Sequence, residues 1–399
     1  MSARRRVIHI INSFEFGGAE AMLCNLVLRT DAGRFDCSIV SLMDDLTVAG
    51  PILSAGIPLL TMGMRPGVPD PRAAARLARH LRRARPDIVQ TWMDHSNLIG
   101  GLAARFAGAR HVVWGIHHAE HVRGVAKRST QCVVSACAVL SAHVPSRIVC
   151  CSEQAAHLYA RRGFDATRMM VIPNGFDTRR FQPDQTAREA IRREISVEQT
   201  APLVGVVARY DPCKDHATFL QSARLLADRS PSVKFLLCGH KVDSSNAELI
   251  SQVRAAGLDS RCRLLGPRQD IPRIYAALDV LCSSSISEAF PLAVGEAMAC
   301  GIPCVVTDVG DSSLMVGPTG AVVPARDPQG LAAQIGRLLA LPPGDRVELG
   351  LAARERVRRM FDLGAVTRRY EQVYDALTAG APARLTARWE SDPRIVPGH

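Results

Sequence analysis

The run Ser285-Ile286-Ser287-Glu288-Ala289-Phe290-Pro291-Leu292-Ala293-Val294-Gly295-Glu296-Ala297-Met298-Ala299-Cys300-Gly301-Ile302-Pro303 carries more about how this chain folds than any other stretch of it. It follows an apolar segment, 279–283, of the kind that forms a strand covered on both faces, and it leads into another, 303–308. Pro291 stands where a helix would begin, because proline suits the first turn. Gly301 and Pro303 then end that helix. Glu288 lies just before the helix and Glu296 inside it. Eight helical residues rise about 12 Å, whereas carboxylates that flank one glycosidic bond work at about 5–9.5 Å. The two acids are therefore expected to grip the two ends of an elongated ligand. Between them the helix N-terminus offers free N–H groups to a phosphate. A carboxylate beside a phosphate is unfavourable unless it accepts from hydroxyls, and a nucleotide sugar supplies hydroxyls at both ends.

The same alternation of short apolar runs with helical, Ala/Leu/Arg-rich segments extends through the chain. Strands are predicted at 7–12, 35–42, 57–62, 87–92, 111–117, 147–152 and 169–173 in the first half. In the second half they are predicted at 203–209, 233–239, 261–266, 279–283, 303–308 and 320–324. Strands separated by helices are the mark of βαβ units and parallel sheets. The polar, charged segment 178–201 has no strand character and marks the boundary. The expected α/β architecture is two Rossmann-like, doubly wound domains facing a cleft. The first covers 1–180 and the second 181–362, and a helix at 363–378 returns to the first domain. Residues 379–399 read as a weakly ordered tail rich in Pro and Gly.

With 399 residues the chain exceeds what one core usually supports. Forty-nine Lys and Arg against 38 Asp and Glu leave a formal charge of +11, which suits anionic partners such as nucleic acid, phosphorylated small molecules or a lipid surface. No apolar stretch approaches the roughly 18 residues of a spanning helix. After Arg4-Arg5-Arg6 the apolar run Val7-Ile8-His9-Ile10-Ile11 is too short and polar for a secretory signal. The twelve cysteines form no Cys-x-x-Cys pair and sit mostly in apolar runs, so they read as buried free thiols of a reducing cytoplasm rather than disulfides or a zinc site.

Three further segments bear on chemistry. Phe14-Glu15-Phe16-Gly17-Gly18-Ala19-Glu20 joins the first strand to a helix, and two glycines there let backbone N–H groups approach an anion, although a tight turn is the plainer reading. It is not a Gly-x-Gly-x-x-Gly fingerprint, so a nicotinamide cofactor is not expected. In the second half, Arg209 follows an apolar strand and Lys214 lies five residues on. Cations at the C-terminal ends of parallel strands face the ligand crevice of such sheets and could neutralise a diphosphate.

Glu288 and Glu296 form a Glu-x7-Glu pair that resembles the retaining glycosyltransferases of the two-Rossmann GT-B fold. The large family of bacterial polysaccharide and lipid-glycan transferases is the nearest likeness. Gly17-Gly18-Ala19-Glu20 resembles its N-terminal glycine loop, Pro173-Asn174-Gly175-Phe176-Asp177 with Phe181 its interdomain segment, and Arg209 with Lys214 its diphosphate-binding pair. The resemblance implies that Arg209, Lys214, Glu288 and His117 carry the chemistry. Donor contacts are implied for Gly17, Gly18, Asn174, Phe290, Pro291, Leu292 and Glu296. Glu296 would take the ribose hydroxyls, Glu288 those of the donor sugar, and His117 would reach that sugar near the reaction centre.

The implied reaction moves a hexose or N-acetylhexosamine from a nucleoside-diphosphate sugar to a glycan or lipid-linked acceptor, with retention, in polysaccharide, lipopolysaccharide or glycolipid synthesis. Rival readings are a nucleotide-sugar epimerase of the same fold and a basic protein that binds anionic surfaces. No cofactor and no divalent metal are expected, since Arg209, Lys214 and N–H groups supply the positive charge. His117-His118-Ala119-Glu120-His121 has metal-like spacing, but it lacks the His-Glu-x-x-His order. The chain departs from the family at Ala208-Arg209-Tyr210, Lys214-Asp215, Gly239-His240-Lys241-Val242 and Asp311-Ser312-Ser313, near the expected base and sugar pockets, which leaves the donor open.

The segment from Arg72 to Arg85 reads as a basic helix, with Arg76, Arg79, His80 and Arg83 on one face and Leu77 and Leu81 on another. Its plain reading is a solvated face, because the apolar side is mostly alanine. Its sharper reading is a peripheral membrane contact with the anionic headgroups around a lipid-linked acceptor. Nucleic acid is not an expected partner, for no nucleic-acid module is present. The expected location is cytoplasmic, at the inner face of the membrane where that contact is made.

Overall fold

The computed structural model describes residues 4–15, 17–68, 70–118 and 128–379, and they divide into two compact units. The first unit opens with β1 (Arg5–Ile11), α1 (Gly18–Arg29), β2 (Phe35–Ser41), α2 (Gly50–Ser54) and β3 (Leu59–Thr61). It continues through α3 (Pro71–Ala84), β4 (Ile88–Trp92), α4 (Asp94–Phe106) and β5 (His111–Ile116). It then runs through α5 (Arg128–Leu140), β6 (Arg147–Cys150), α6 (Glu153–Arg161) and β7 (Met169–Val171). The seven strands are all parallel in the order β3-β2-β1-β4-β5-β6-β7.

The second unit begins with α7 (Gln185–Glu194), β8 (Leu203–Val207), α8 (His216–Arg229), β9 (Lys234–Cys238) and α9 (Ala247–Ala255). Then come β10 (Cys262–Leu264), α10 (Ile271–Ala277), β11 (Val280–Ser283), α11 (Leu292–Ala299) and β12 (Cys304–Thr307). The unit closes with α12 (Ser312–Val316), β13 (Ala321–Val323), α13 (Pro328–Ala340) and α14 (Pro343–Met360). Its six parallel strands follow β10-β9-β8-β11-β12-β13. Each sheet thus reverses its winding beside its first strand, between β1 and β4 and between β8 and β11. That reversal is where doubly wound sheets place ligands, at the carboxyl ends of the strands.

The strands form where β-branched and apolar residues leave no polar face to expose. Val7, Ile10 and Ile11 of β1 and Val204, Val206 and Leu203 of β8 are all buried, each such side chain contributing about 1.5–3 kcal/mol on leaving water. All thirteen predicted strands are present; β1 starts two residues earlier, at Arg5, and the others are shortened by a residue or two at one or both ends. Among the described residues no helix is long and apolar enough to cross a membrane. The twelve cysteines are free, and most are buried.

Two features differ from the sequence-based expectation. The division between units falls at Gly175 and Phe176 rather than at 180 and 181. Phe176 is drawn into the second unit by its backbone N–H, which donates to the Phe361 carbonyl at 2.8 Å, and by its ring, which stacks on Phe290 with centroids 6.1 Å apart. Within the polar boundary segment, α7 is a helix of the second unit, capped by Asp184, whose side chain accepts from the Ala187 N–H. Arg192 on it is fully buried and pairs with Asp279 at 2.7 Å while donating to the carbonyls of Glu198, Gln199 and Ala201. A helix α15 (Leu363–Thr378) packs in the first unit's core, where Val366, Tyr370 and Tyr374 join Phe35 and Trp92. The tail expected beyond Ala379 lies outside the described residues.

Candidate functional site

In the second unit the elements at the sheet reversal set the site. After β8 the chain passes Arg209 and turns at Pro212–Lys214, where Asp215 takes a left-handed conformation with φ 47° and caps α8 through the Thr218 N–H at 3.1 Å. That turn is tied to the end of β11, since the Ser284 hydroxyl donates to the carbonyls of Lys214 at 2.9 Å and Asp215 at 3.1 Å. Lys214 is thereby aimed at the loop leading into α11, and its Nζ meets Glu288 Oε1 at 2.5 Å. The Ser285 hydroxyl donates to the same carboxylate oxygen at 2.7 Å. Beneath this loop runs Gly310, at φ 58°. A Cβ there would stand 2.3 Å from the Glu288 carbonyl, so only glycine allows the approach.

A cavity of about 30 Å³, enough for little more than a water, opens among Ala208, Lys214, Ser285, Glu288, Pro291 and Leu292. The first N–H groups of α11 begin at this wall, and such groups have no acceptor within their own helix. Pro291 is the N-cap of α11 rather than its first helical residue, with ψ 104°, because the chain is still extended where it leaves the Phe290 carbonyl. Phe290 itself turns away from the cavity. Its ring is buried against Phe176 and Phe361, so only its backbone can serve a ligand.

Glu296 lies farther along α11 and does not line this cavity. Its Oε2 accepts from the buried Tyr275 hydroxyl at 2.9 Å. Burial pushes the Glu296 carboxyl up to about 7, against the opposing pull of the Tyr275 hydrogen bond and the Arg180 charge. At neutral pH it therefore stands near its own midpoint. Arg209 is exposed and pairs with Asp211, its Nε 3.1 Å from Oδ2. The structure thus brings Lys214, Glu288, Pro291 and Leu292 to one wall, with Arg209 and Glu296 outside it.

The other expected site residues belong to the first unit. Gly17 is the extended N-cap of α1, and Gly18 its first residue. A Cβ on Gly17 would fall 2.2 Å from Glu20 Oε2, so this turn is already faced by the chain's own buried carboxylate. His117 follows β5 and stacks on Trp92, centroids 4.7 Å apart and planes 20° from parallel. Burial, with a smaller push from His118, lowers its pKa to about 3, so the ring is neutral. Neither ring nitrogen has a partner among the described residues, and the same holds for Asn174 Oδ1. Glu120 and His121 of the metal-like run lie outside the described residues.

Sequence reasoning missed Tyr275, Ser285 and Gly310. Ser285 had a signal, as a hydroxyl three residues before Glu288. Tyr275 had none, since its partner lies 21 positions away.

Residues 16–180 match the profile of Glycosyltransferase Family 4, and residues 201–341 that of Glycosyl transferases group 1. A UDP-Gal:alpha-D-GlcNAc-diphosphoundecaprenol alpha-1,3-galactosyltransferase of Escherichia coli is 26% identical over 62% of this chain and 65% of its own length. The putative glycosyltransferase EpsF of Bacillus subtilis is 25% identical over 77% of this chain and 80% of its own. A D-inositol 3-phosphate glycosyltransferase of Corynebacterium jeikeium is 34% identical over 44% and 45%. The chain therefore spans about two thirds of the first relative and less than half of the third. Among solved structures, Anabaena HepE in complex with UDP and glucose superposes with a TM-score of 0.82 at 20% identity, over 94% of this chain and all of that one. A sucrose-phosphate synthase of Thermosynechococcus elongatus does so with 0.78 at 21%, over 94% of this chain and all of that one. At such identities the likeness speaks to fold.

Proposed function

The chain belongs to the GT-B glycosyltransferases, and we propose that it transfers a hexose or N-acetylhexosamine from a nucleoside-diphosphate sugar to a hydroxyl of a glycan or lipid-linked acceptor, with retention of configuration. The observation that carries this reading is the convergence of Lys214 and Glu288 at the wall where α11 begins. A cation paired with a carboxylate suits a ligand that is anionic in one part and rich in hydroxyls in the next. Lys214 exchanges Glu288 for a phosphate oxygen, and Glu288, still held by Ser285, accepts from a sugar hydroxyl. Arg209, exposed at the end of β8, adds a second cation, and the first N–H groups of α11 add a third source of positive potential.

In this reading the bond from the anomeric carbon to the diphosphate oxygen breaks, and the electron pair leaves on the phosphate. The acceptor oxygen bonds to the anomeric carbon on the same face, and its proton passes to the departing phosphate oxygen. The dominant stabilisation falls on the departing charge, where pre-aligned donors are worth most. Because Lys214 and Arg209 supply that charge, turnover is expected without a divalent metal, and a chelator such as EDTA should leave it unchanged. Glu296 takes the ribose hydroxyls. The neutral His117 contacts the donor sugar, and the first unit receives the acceptor. A nucleotide-sugar donor and free thiols suit a cytoplasmic location.

The test is a thermal-shift screen against UDP, GDP, ADP and their sugars, because a ligand bound only by the folded chain raises its melting temperature. One base series should stabilise the protein, and its diphosphate should be released only when an acceptor is supplied. Isomerised sugar nucleotide without acceptor would instead indicate the epimerase.

A further inference from the structure

Trp92 ends β4 at the reversal of the first unit's sheet, opposite Ile11 of β1 and Gly115 of β5. An apolar side chain alone would fill the core there, but the indole is also pinned. Its Nε1–H donates to His9 Nδ1 at 3.2 Å. It stacks on Tyr370 of α15, centroids 6.2 Å apart, as well as on His117, and in both pairs the planes lie 20° from parallel. His9, Trp92 and Tyr370 are all buried.

Gly115 gives the imidazole its place. A Cβ on it would stand 3.2 Å from His117 Nε2 and 2.8 Å from the Thr91 carbonyl, so His117 lies back over the strand it follows. Asn97 grips this glycine twice. Its Nδ2 donates to the Gly115 carbonyl at 3.0 Å, and its Oδ1 accepts from the Gly115 N–H at 3.3 Å and from the Thr91 hydroxyl at 2.6 Å. Between Trp92 and α4 stands Met93, at φ 74° and ψ 160°, a backbone conformation that belongs almost wholly to glycine. Its N–H donates to the Gly115 carbonyl at 3.0 Å, and its own carbonyl accepts from the Asn97 N–H at 2.8 Å. Such strain persists only where the surroundings over-determine it, and here they fix Trp92 and Gly115 around one imidazole.

The His117 ring is neutral, so it presents one N–H donor and one bare nitrogen, both directed in the plane of the ring. Neither nitrogen has a partner among the described residues. Among those residues no hydrogen bond of the ring sets its tilt, and the stack on Trp92 does so instead. We propose that Trp92 is a positioning residue for sugar transfer: its indole, pinned by His9 and Tyr370, sets the plane in which His117 meets the donor sugar. The proposal rests on the reading of His117 as a donor-sugar contact and adds the residue that aims it.

Calorimetry with two probes tests it: the nucleoside diphosphate selected by the thermal screen, and the sugar nucleotide of the same base that stabilises the chain most. His117→Ala should weaken the sugar nucleotide roughly threefold to tenfold and leave the diphosphate unaffected. Trp92→Leu, which keeps an apolar side chain but no flat ring, should do the same. The double variant should bind no more weakly than His117→Ala alone, because both substitutions act through one ring. Trp92→Phe restores a flat ring and should recover most of the loss. A purely structural Trp92 would instead weaken both probes, or add its loss to that of His117→Ala; either result overturns the proposal while the His117 contact stands. Full sugar-nucleotide affinity in Trp92→Leu overturns it as well. An unaffected His117→Ala would remove the donor-sugar contact itself, and the proposal with it. Should Trp92→Leu fail to fold, His9→Phe takes its place in the cycle. It keeps a ring in the core and removes only the acceptor of the indole N–H, and the same outcomes decide.

Discussion

Tyr275 holds Glu296 by one hydrogen bond from a fully buried hydroxyl, and that bond favours the ionised carboxylate while burial opposes it. In the proposed reading an ionised Glu296 accepts from both ribose hydroxyls, and protonation turns one carboxyl oxygen into a donor and weakens that grip. Donor affinity is therefore expected to rise as pH rises through about 7, the value to which burial brings this group. Tyr275→Phe removes the opposing pull, so the profile should move to higher pH. Affinity at neutral pH should fall by about 0.5–1.5 kcal/mol. Donor titrations across pH 6 to 8 read both effects, and an unshifted profile in the variant would remove Tyr275 from the site. The Glu-x7-Glu pair itself was legible in the sequence because both acids sit on one strand-turn-helix unit. The Lys214–Glu288 contact was not, since two loops 74 positions apart had to be tied by Ser284 before it could form.

At the scale of elements, α11 is held in place by two devices. Gly295 lies under the Phe176 ring, where a Cβ would come within 2.1 Å of Cζ. Arg354 of α14 gathers the carbonyls of Thr178, Phe181 and Ala299, bracing the far end of the helix. Gly295→Ala should cost about 1–3 kcal/mol by overpacking, read as a lower denaturation midpoint. Because the ring it displaces also stacks on Phe290, donor affinity should fall with it. A variant as stable as the parent would mean that α11 can shift without penalty. The apolar runs announced the strands since each is buried on both faces. Helix α7 escaped notice because its polar surface hides one essential anchor, Arg192, whose carbonyl partners follow it in sequence but whose carboxylate is Asp279.

Across the whole molecule, burial sets the response to acid. His9 and His117 are lowered to about 3 and His216 to about 4, chiefly by burial. The unfolded chain protonates these rings near 6.5 while the folded chain does not. Their stability contribution is thus present above that pH and lost as pH falls towards 3 to 4, each ring costing up to about 1.4 kcal/mol per pH unit. Glu296 acts in the opposite sense, favouring the fold below 4.5 and losing that contribution as pH rises through about 7. The histidines outnumber it, so the melting temperature should drop clearly between pH 7 and pH 5. A flat profile would show that the rings titrate in place. The doubly wound plan was legible at this scale from the alternation of strands and helices. The position of the break was not, because Phe176 answers to aromatic partners on α11's approach and after α14.

In the proposed reaction Lys214, beside the start of α11, holds the phosphates of the donor. Calorimetry of Lys214→Ala against the diphosphate selected by the thermal screen, and against its parent nucleoside, measures this most directly. Loss of one charge-assisted bond should weaken the diphosphate by about 1.5–3 kcal/mol, more than tenfold, and leave the nucleoside unaffected. Equal affinity of parent and variant for the diphosphate would contradict it.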